Sequence, residues 1–124
     1  MESYEIEVVA PGRIYVRVQG RLSPFHSEEL RLALNKRLQA NGDYLLLLVN
    51  LEKGDPNDSS MLLSFHVLFR QYPGVTAAFA SAPPIVARSL DVMARAIGAE
   101  GRIRCFANET AANAWLDAHA PGRC

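Results

Sequence analysis

The run Tyr44–Val49, YLLLLV, constrains this chain more than any other stretch. A strand with one wet face alternates apolar and polar side chains, so a run without alternation needs apolar cover on both faces. That places it in the middle of a sheet, in parallel pairing. Gly54-Asp55-Pro56-Asn57 then breaks the chain, and an apolar pattern at helical spacing follows. Asn57 or Asp58 can accept a hydrogen bond from an unpaired backbone N–H and cap that helix. It opens at Asp58-Ser59-Ser60 and runs to about Tyr72, where Pro73-Gly74 stops it.

The remaining segments read as layers around this strand and helix. Ile6 and Val8 alternate with Glu5 and Glu7; Ile14, Val16 and Val18 alternate with Tyr15, Arg17 and Gln19. Period-two patterns on either side of Pro11-Gly12 predict an antiparallel hairpin at one edge of the sheet. Ser23-Pro24 starts a helix with Leu30, Ala33, Leu34 and Leu38 inward, ended by Asn41-Gly42. Val75–Ala80 is a further apolar strand, and after Pro83-Pro84 a helix carries Val86, Leu90, Met93, Ala94 and Ile97 inward. Asp91 and Arg95 stand four residues apart on its outer side, and Gly98 ends it. Ile103–Phe106 is short enough for an edge strand, and Asn108 caps a last helix docked through Ala111, Trp115 and Leu116. The sum is one α/β domain over residues 1–124, with a core of about residues 4–118 and a tail at 119–124. Its sheet is single, mixed and mostly parallel, with about five strands and about four helices.

Charge narrows the partners. Thirteen basic and thirteen acidic side chains cancel, so nothing in the balance favours nucleic acid or an anionic membrane. No apolar run approaches the ~20 residues needed to span a bilayer, and the acidic start MESYEIEVV is not a secretory signal. Cys105 reads as a small buried hydrophobe and Cys124 as a free thiol in the tail, which together point to a reducing cytoplasm.

Catalytic signatures are thin. His26, His66 and His119 fall on three different predicted helices without ligand spacing, so no metal or other cofactor is expected. A serine nucleophile at Ser59 or Ser60 needs a base. His66, about two turns further along, is too distant to serve. Asp55 and Asp58 read as turn and capping residues.

Asn50-Leu51-Glu52-Lys53-Gly54-Asp55-Pro56-Asn57-Asp58-Ser59-Ser60-Met61 resembles the signature of the STAS domain in its SpoIIAA-like form, the anti-sigma-factor antagonists. There a central strand ending in Asp-Leu leads through a loop to Asp-Ser-Ser-Gly at a helix start. Phe106-Ala107-Asn108-Glu109, leading on to Trp115-Leu116, resembles that family's last strand and helix. The resemblance covers about residues 12–118. This chain departs from it at Asn50 for the acid, at Met61 for the glycine, and at Pro56-Asn57 where apolar residues are expected. The resemblance implies a non-enzymatic regulatory domain. It also implies that Ser59 is the serine phosphorylated by a partner kinase, with the helix N-terminus tolerating the phosphate and Asp55 and Asp58 repelling it.

On the helix after Asp58, residues placed 100° apart put Met61, Leu62, Phe65, Leu68, Phe69 and Tyr72 inward, and Ser60, Ser64, Arg70 and Gln71 outward. Leu63 and Val67 fall on the outer side and, with Ser59, His66 and Arg70, form a stripe running away from the loop. The expected partner-binding surface is therefore Asp55, Asp58, Ser59, Ser60, Leu63, His66, Val67 and Arg70, covered by a protein such as a kinase or anti-sigma-like partner, or by a second copy of the chain as a homodimer. The alternative is a carrier of a small apolar or anionic ligand, because SpoIIAA-like domains resemble the lipid-binding SEC14 fold. Ligands in open α/β sheets sit beyond the strand ends, here Asn50–Ser60 and Ser81-Ala82-Pro83.

Overall fold

The structure, a computed structural model, describes residues 3–119. Cys124, the rest of the tail beyond His119 and any Cys105–Cys124 pairing lie outside the described residues. The elements follow in the order β1 (Ser3–Ala10), β2 (Arg13–Gly20), α1 (Pro24–Ala40), β3 (Leu45–Gly54), α2 (Ser59–Gln71), β4 (Val75–Ala80), α3 (Pro84–Ala96), β5 (Ile103–Phe106) and α4 (Glu109–Ala118). The five strands form one sheet in the order β1-β2-β3-β4-β5, so β3 is its middle strand. β1 and β2 are antiparallel and every other pairing is parallel. The single mixed sheet and initial hairpin are those expected from the alternation pattern.

The hairpin closes over Pro11-Gly12, with Ala10 opposite Arg13 and Gly12 at φ +75°. Pro at the second turn position and a left-handed glycine at the third are the residues of a type II turn. α1 is capped by Ser23, whose hydroxyl accepts from the His26 N–H at 3.0 Å. The fully buried Leu45, Leu47, Val49 and Leu51 on one face of β3, and Leu46 and Leu48 on the other, show why that segment lacks alternation.

The two faces are covered unequally. α1, α2 and α3 pack on one face in a core that includes Leu30, Leu34, Leu47, Phe65, Phe69, Phe79 and Leu90. Within it the Phe65, Phe69 and Phe79 rings have centroids 5.4–6.1 Å apart, the spacing of favourable aromatic pairs. Among the described residues only α4 lies on the opposite face, through Ala112 and Leu116 against Leu46, Leu48, Ala78 and Ala80. Ala111, expected to dock, is exposed, and Ala112 takes its place. One residue is 100° of rotation, which is enough to turn a side chain from solvent to sheet. Trp115 is half-buried at the margin of this cluster, its ring tilted against Phe106 with centroids 5.5 Å apart.

Two contacts that no local pattern announces lock the helices to the sheet. The Arg102 guanidinium, on the α3–β5 connection, donates to the carbonyls of Phe69 at 2.9 Å and Val75 at 2.9 Å. It thereby satisfies a carbonyl of the last turn of α2 that has no partner within the helix. Gly74 lies so close to the Asp43 carbonyl that a Cβ there would stand 2.1 Å from its oxygen.

Candidate functional site

The outer stripe of α2 forms as expected. Leu63 is 64% exposed and Val67 42%. With His66, Arg70 and Gln71 they line an open groove of about 400 Å³. His66 and Arg70 also border a second depression, of about 580 Å³, reaching Ala96, Ile97 and Arg102 at the α3 side. The helix Ser59–Gln71 contains no acidic residue, so the charge on this surface is Arg70. Ser59 is exposed and Ser60 half-buried at the start of the stripe.

Asp58 does not belong to that surface. It was expected to face a partner, yet it is 1% exposed. Its Oδ1 accepts from the Met61 N–H at 3.0 Å, the N-cap bond, and its Oδ2 accepts from the buried Leu22 N–H at 2.8 Å. One carboxylate thus caps α2 and ties it to the β2–α1 connection. A consequence follows for Ser59. Part of the amide array that a phosphate would use at a helix tip is already occupied, because Asp58 holds the Met61 N–H and its carbonyl accepts from Leu62. Asp55 is half-buried, its Oδ1 accepting from the Asn57 N–H at 2.7 Å and its Oδ2 lying 3.7 Å from Arg21. It shapes the loop beside the stripe.

A second concave region sits at the carboxyl end of β3, on the α4 face. Arg17, Asn50, Glu52, Lys53 and Glu109 line a cavity of about 310 Å³. Asn50, Glu52 and Lys53 fall within the strand-end rim read from the sequence, whereas Asp55, Ser59 and Ser81-Ala82-Pro83 do not line this cavity. Its walls are charged, so an apolar ligand finds no matching surface there. The Tyr15 hydroxyl donates to Glu109 Oε2 at 2.5 Å, and Asn50 Nδ2 donates to the same oxygen. Asn50 Oδ1 accepts from the Glu52 N–H at 2.9 Å. These donors hold the Glu109 carboxyl below the usual carboxylate range, Tyr15 contributing most and Asn50 next. Burial first, and then the bond to Glu109, push the Tyr15 hydroxyl up. The Arg17 guanidinium lies 5.8 Å from the Tyr15 ring centroid. Tyr15, Arg17 and Glu109 carried no local signal as a site: 94 residues separate Tyr15 from Glu109.

Cys105 is half-buried, and burial, reinforced by Asp91, raises its thiol to about 11. It is thus protonated and weakly nucleophilic at neutral pH. Among the described residues no group of three His, Cys, Asp or Glu side chains converges as metal ligands would.

A five-stranded mixed sheet with three helices on one face and one on the other, and a capped helix tip after the central strand, defines a SpoIIAA-like fold. Comparison with solved structures agrees. An uncharacterised protein of the DUF3478 family from Shewanella loihica PV-4, described as having a SpoIIAA-like fold, superposes with a TM-score of 0.67. The two share 13% identity over 94% of this chain and 95% of that one. The anti-sigma factor antagonist SpoIIAA in its unphosphorylated form superposes with a TM-score of 0.57 at 15% identity, covering 88% of this chain and 92% of that one. At these identities the likeness establishes the fold alone. No protein-family profile and no curated protein sequence matches the chain.

Proposed function

We propose that this chain is a non-enzymatic regulatory module that works by binding another protein through the outer face of α2. The observation that carries the reading is the pair Leu63 and Val67, 64% and 42% exposed on a helix whose inner face is otherwise buried. Isolated exposed apolar side chains are ordinary, but these two are adjacent at i,i+4 and line one groove with His66 and Arg70. The contact surface is Ser59, Ser60, Leu63, His66, Val67 and Arg70, with Asp55 shaping its rim. Asp58 supports the helix from beneath. The likeness to an anti-sigma factor antagonist supports a protein partner, a second copy of the chain being the simplest one. Ser59, exposed at the head of the stripe, is the position where phosphorylation would regulate docking. No helix among the described residues is long and apolar enough to cross a membrane, which suits a module acting in the cytoplasm.

The test substitutes Leu63→Asp and Val67→Asp. Both side chains face outward, so each variant should keep its melting temperature while losing self-association in sedimentation equilibrium or losing its bound partner. Variants that fold normally and leave both the oligomeric state and the bound partners unchanged overturn the assignment.

A further inference from the structure

The charged cavity on the α4 face is separate from the α2 surface and is built by an irregularity in the sheet. Arg17 pairs with Asn50, but Gln19 pairs with Lys53, so three steps along β3 match two along β2. In an unbroken strand, residues 50 and 53 would point to opposite faces. The bulge brings Lys53 onto the face of Arg17 and Asn50, and Glu52 lines the same cavity. Bulges recur beside functional sites because they re-aim a side chain.

We propose that this cavity binds a small zwitterion of amino-acid size, one molecule carrying both an anionic carboxylate or phosphate and an ammonium group. Two cations, Arg17 and Lys53, and two carboxylates, Glu52 and Glu109, meet there. Arg17, Lys53 and Glu52 take part in none of the ion pairs found among the described residues. Glu109 is held in place by Tyr15 and Asn50 through one oxygen, Oε2. The wall therefore offers donors and acceptors of both signs with no net charge. A simple anion would meet Glu52 and Glu109, and a simple cation would meet Arg17 and Lys53, so each alone forfeits attraction to repulsion. A ligand with both charges satisfies the two pairs together. The volume, about 310 Å³, suits a small metabolite rather than a lipid or a dinucleotide.

The experiment is a 15N-edited NMR titration of the full chain with glycine, L-glutamine and phosphoethanolamine. Acetate and propylamine serve as single-charge controls at matched ionic strength. Saturable shifts are expected at Arg17, Asn50–Lys53 and Glu109 with a zwitterion, at a Kd at least about tenfold below either control. Glutamine against phosphoethanolamine tells whether the anionic end is carboxylate or phosphate. Lys53→Met and Glu52→Gln, both at exposed positions, should each weaken binding by about tenfold with an unchanged melting curve. No saturable shift with any zwitterion, shifts centred elsewhere, or equal binding of acetate or propylamine overturns the proposal. Leu63→Asp should leave the titration unaltered, which keeps this result independent of the α2 surface.

Discussion

Asp58→Ala is the most direct challenge to the architecture of the α2 start. The carboxylate is 1% exposed and serves two backbone donors, Met61 N–H at 3.0 Å and Leu22 N–H at 2.8 Å. Losing the N-cap bond costs about 1 kcal/mol. The Leu22 N–H is buried, so leaving it unpaired adds about 1–3 kcal/mol. The expected loss is thus about 2–4 kcal/mol, a large share of the ~5–15 kcal/mol that holds a domain of this kind together. Asn is as good a cap as Asp and keeps one acceptor oxygen, but its amide group turns a donor toward one of the two N–H groups. Asp58→Asn should therefore fall between wild type and alanine, while Ser59→Ala, on the exposed neighbour, should stay within about 0.5 kcal/mol. Urea unfolding at constant m-value reads all three. If Asp58→Ala costs under about 0.5 kcal/mol, the carboxylate is not the tie between α2 and the β2–α1 connection, and Asp58 returns to the candidate docking surface.

Two further predictions bear on close packing and on charge. Gly74→Ala should destabilise by about 1–3 kcal/mol, since its Cβ would lie 2.1 Å from the Asp43 carbonyl oxygen, whereas Gly101, with nothing within 4 Å, should accept alanine at almost no cost; equal effects in urea unfolding would refute the close approach. The folded-state pKa of Glu109 is depressed by Tyr15 and Asn50, so its contribution to stability is complete above the unfolded value of about 4.3 and is lost as pH falls through the lower folded value. Glu109→Gln should accordingly lower stability at neutral pH and flatten the acid limb, so that variant and wild type converge at low pH; an unchanged profile, or a Glu109 carboxyl titrating above the usual value by NMR, contradicts the network.

What the sequence made legible follows from which interactions are local. Ser23, Asp58 and Asn108 each cap a helix through an N–H three residues on, and such spacing can be read without a structure. Val75–Ala80 and Ile103–Phe106 were bounded by turn residues and emerge with the same limits. The apolar run of β3 ends at Val49, yet pairing continues to Gly54, where the turn residues begin. Period two cannot be followed across a bulge, so Asn50–Lys53 carries no strand pattern of its own. The second job of Asp58 was hidden for another reason: its Leu22 donor is 36 residues away. A capping signature predicts one bond and is silent on whether the carboxylate is buried, which is why Asp58 was placed on the wrong side of the helix start.

The same topology accounts for both candidate surfaces. With strands in the order β1-β2-β3-β4-β5, the crossovers β2–α1–β3, β3–α2–β4 and β4–α3–β5 all advance in one direction. Right-handed crossovers that all advance one way put their helices on one face. That face is saturated, and the outer side of α2 is left as surface by its own neighbours. The other face receives α4 alone, clamped to β2 at both ends: Tyr15 holds Glu109 in the first turn, and Arg13 holds Asp117 in the last. One helix cannot cover five strands. The cavity opens where α4 begins and the β2–β3 ladder slips, and the extra residue of the bulge is what crowds Glu52 and Lys53 together on its rim. Deleting Glu52 would restore even pairing with Lys53 still on the face of Arg17 and Asn50, but would strip the cavity of one of its two carboxylates; weakened zwitterion binding in that variant, with the α2 surface still competent, would separate the two sites.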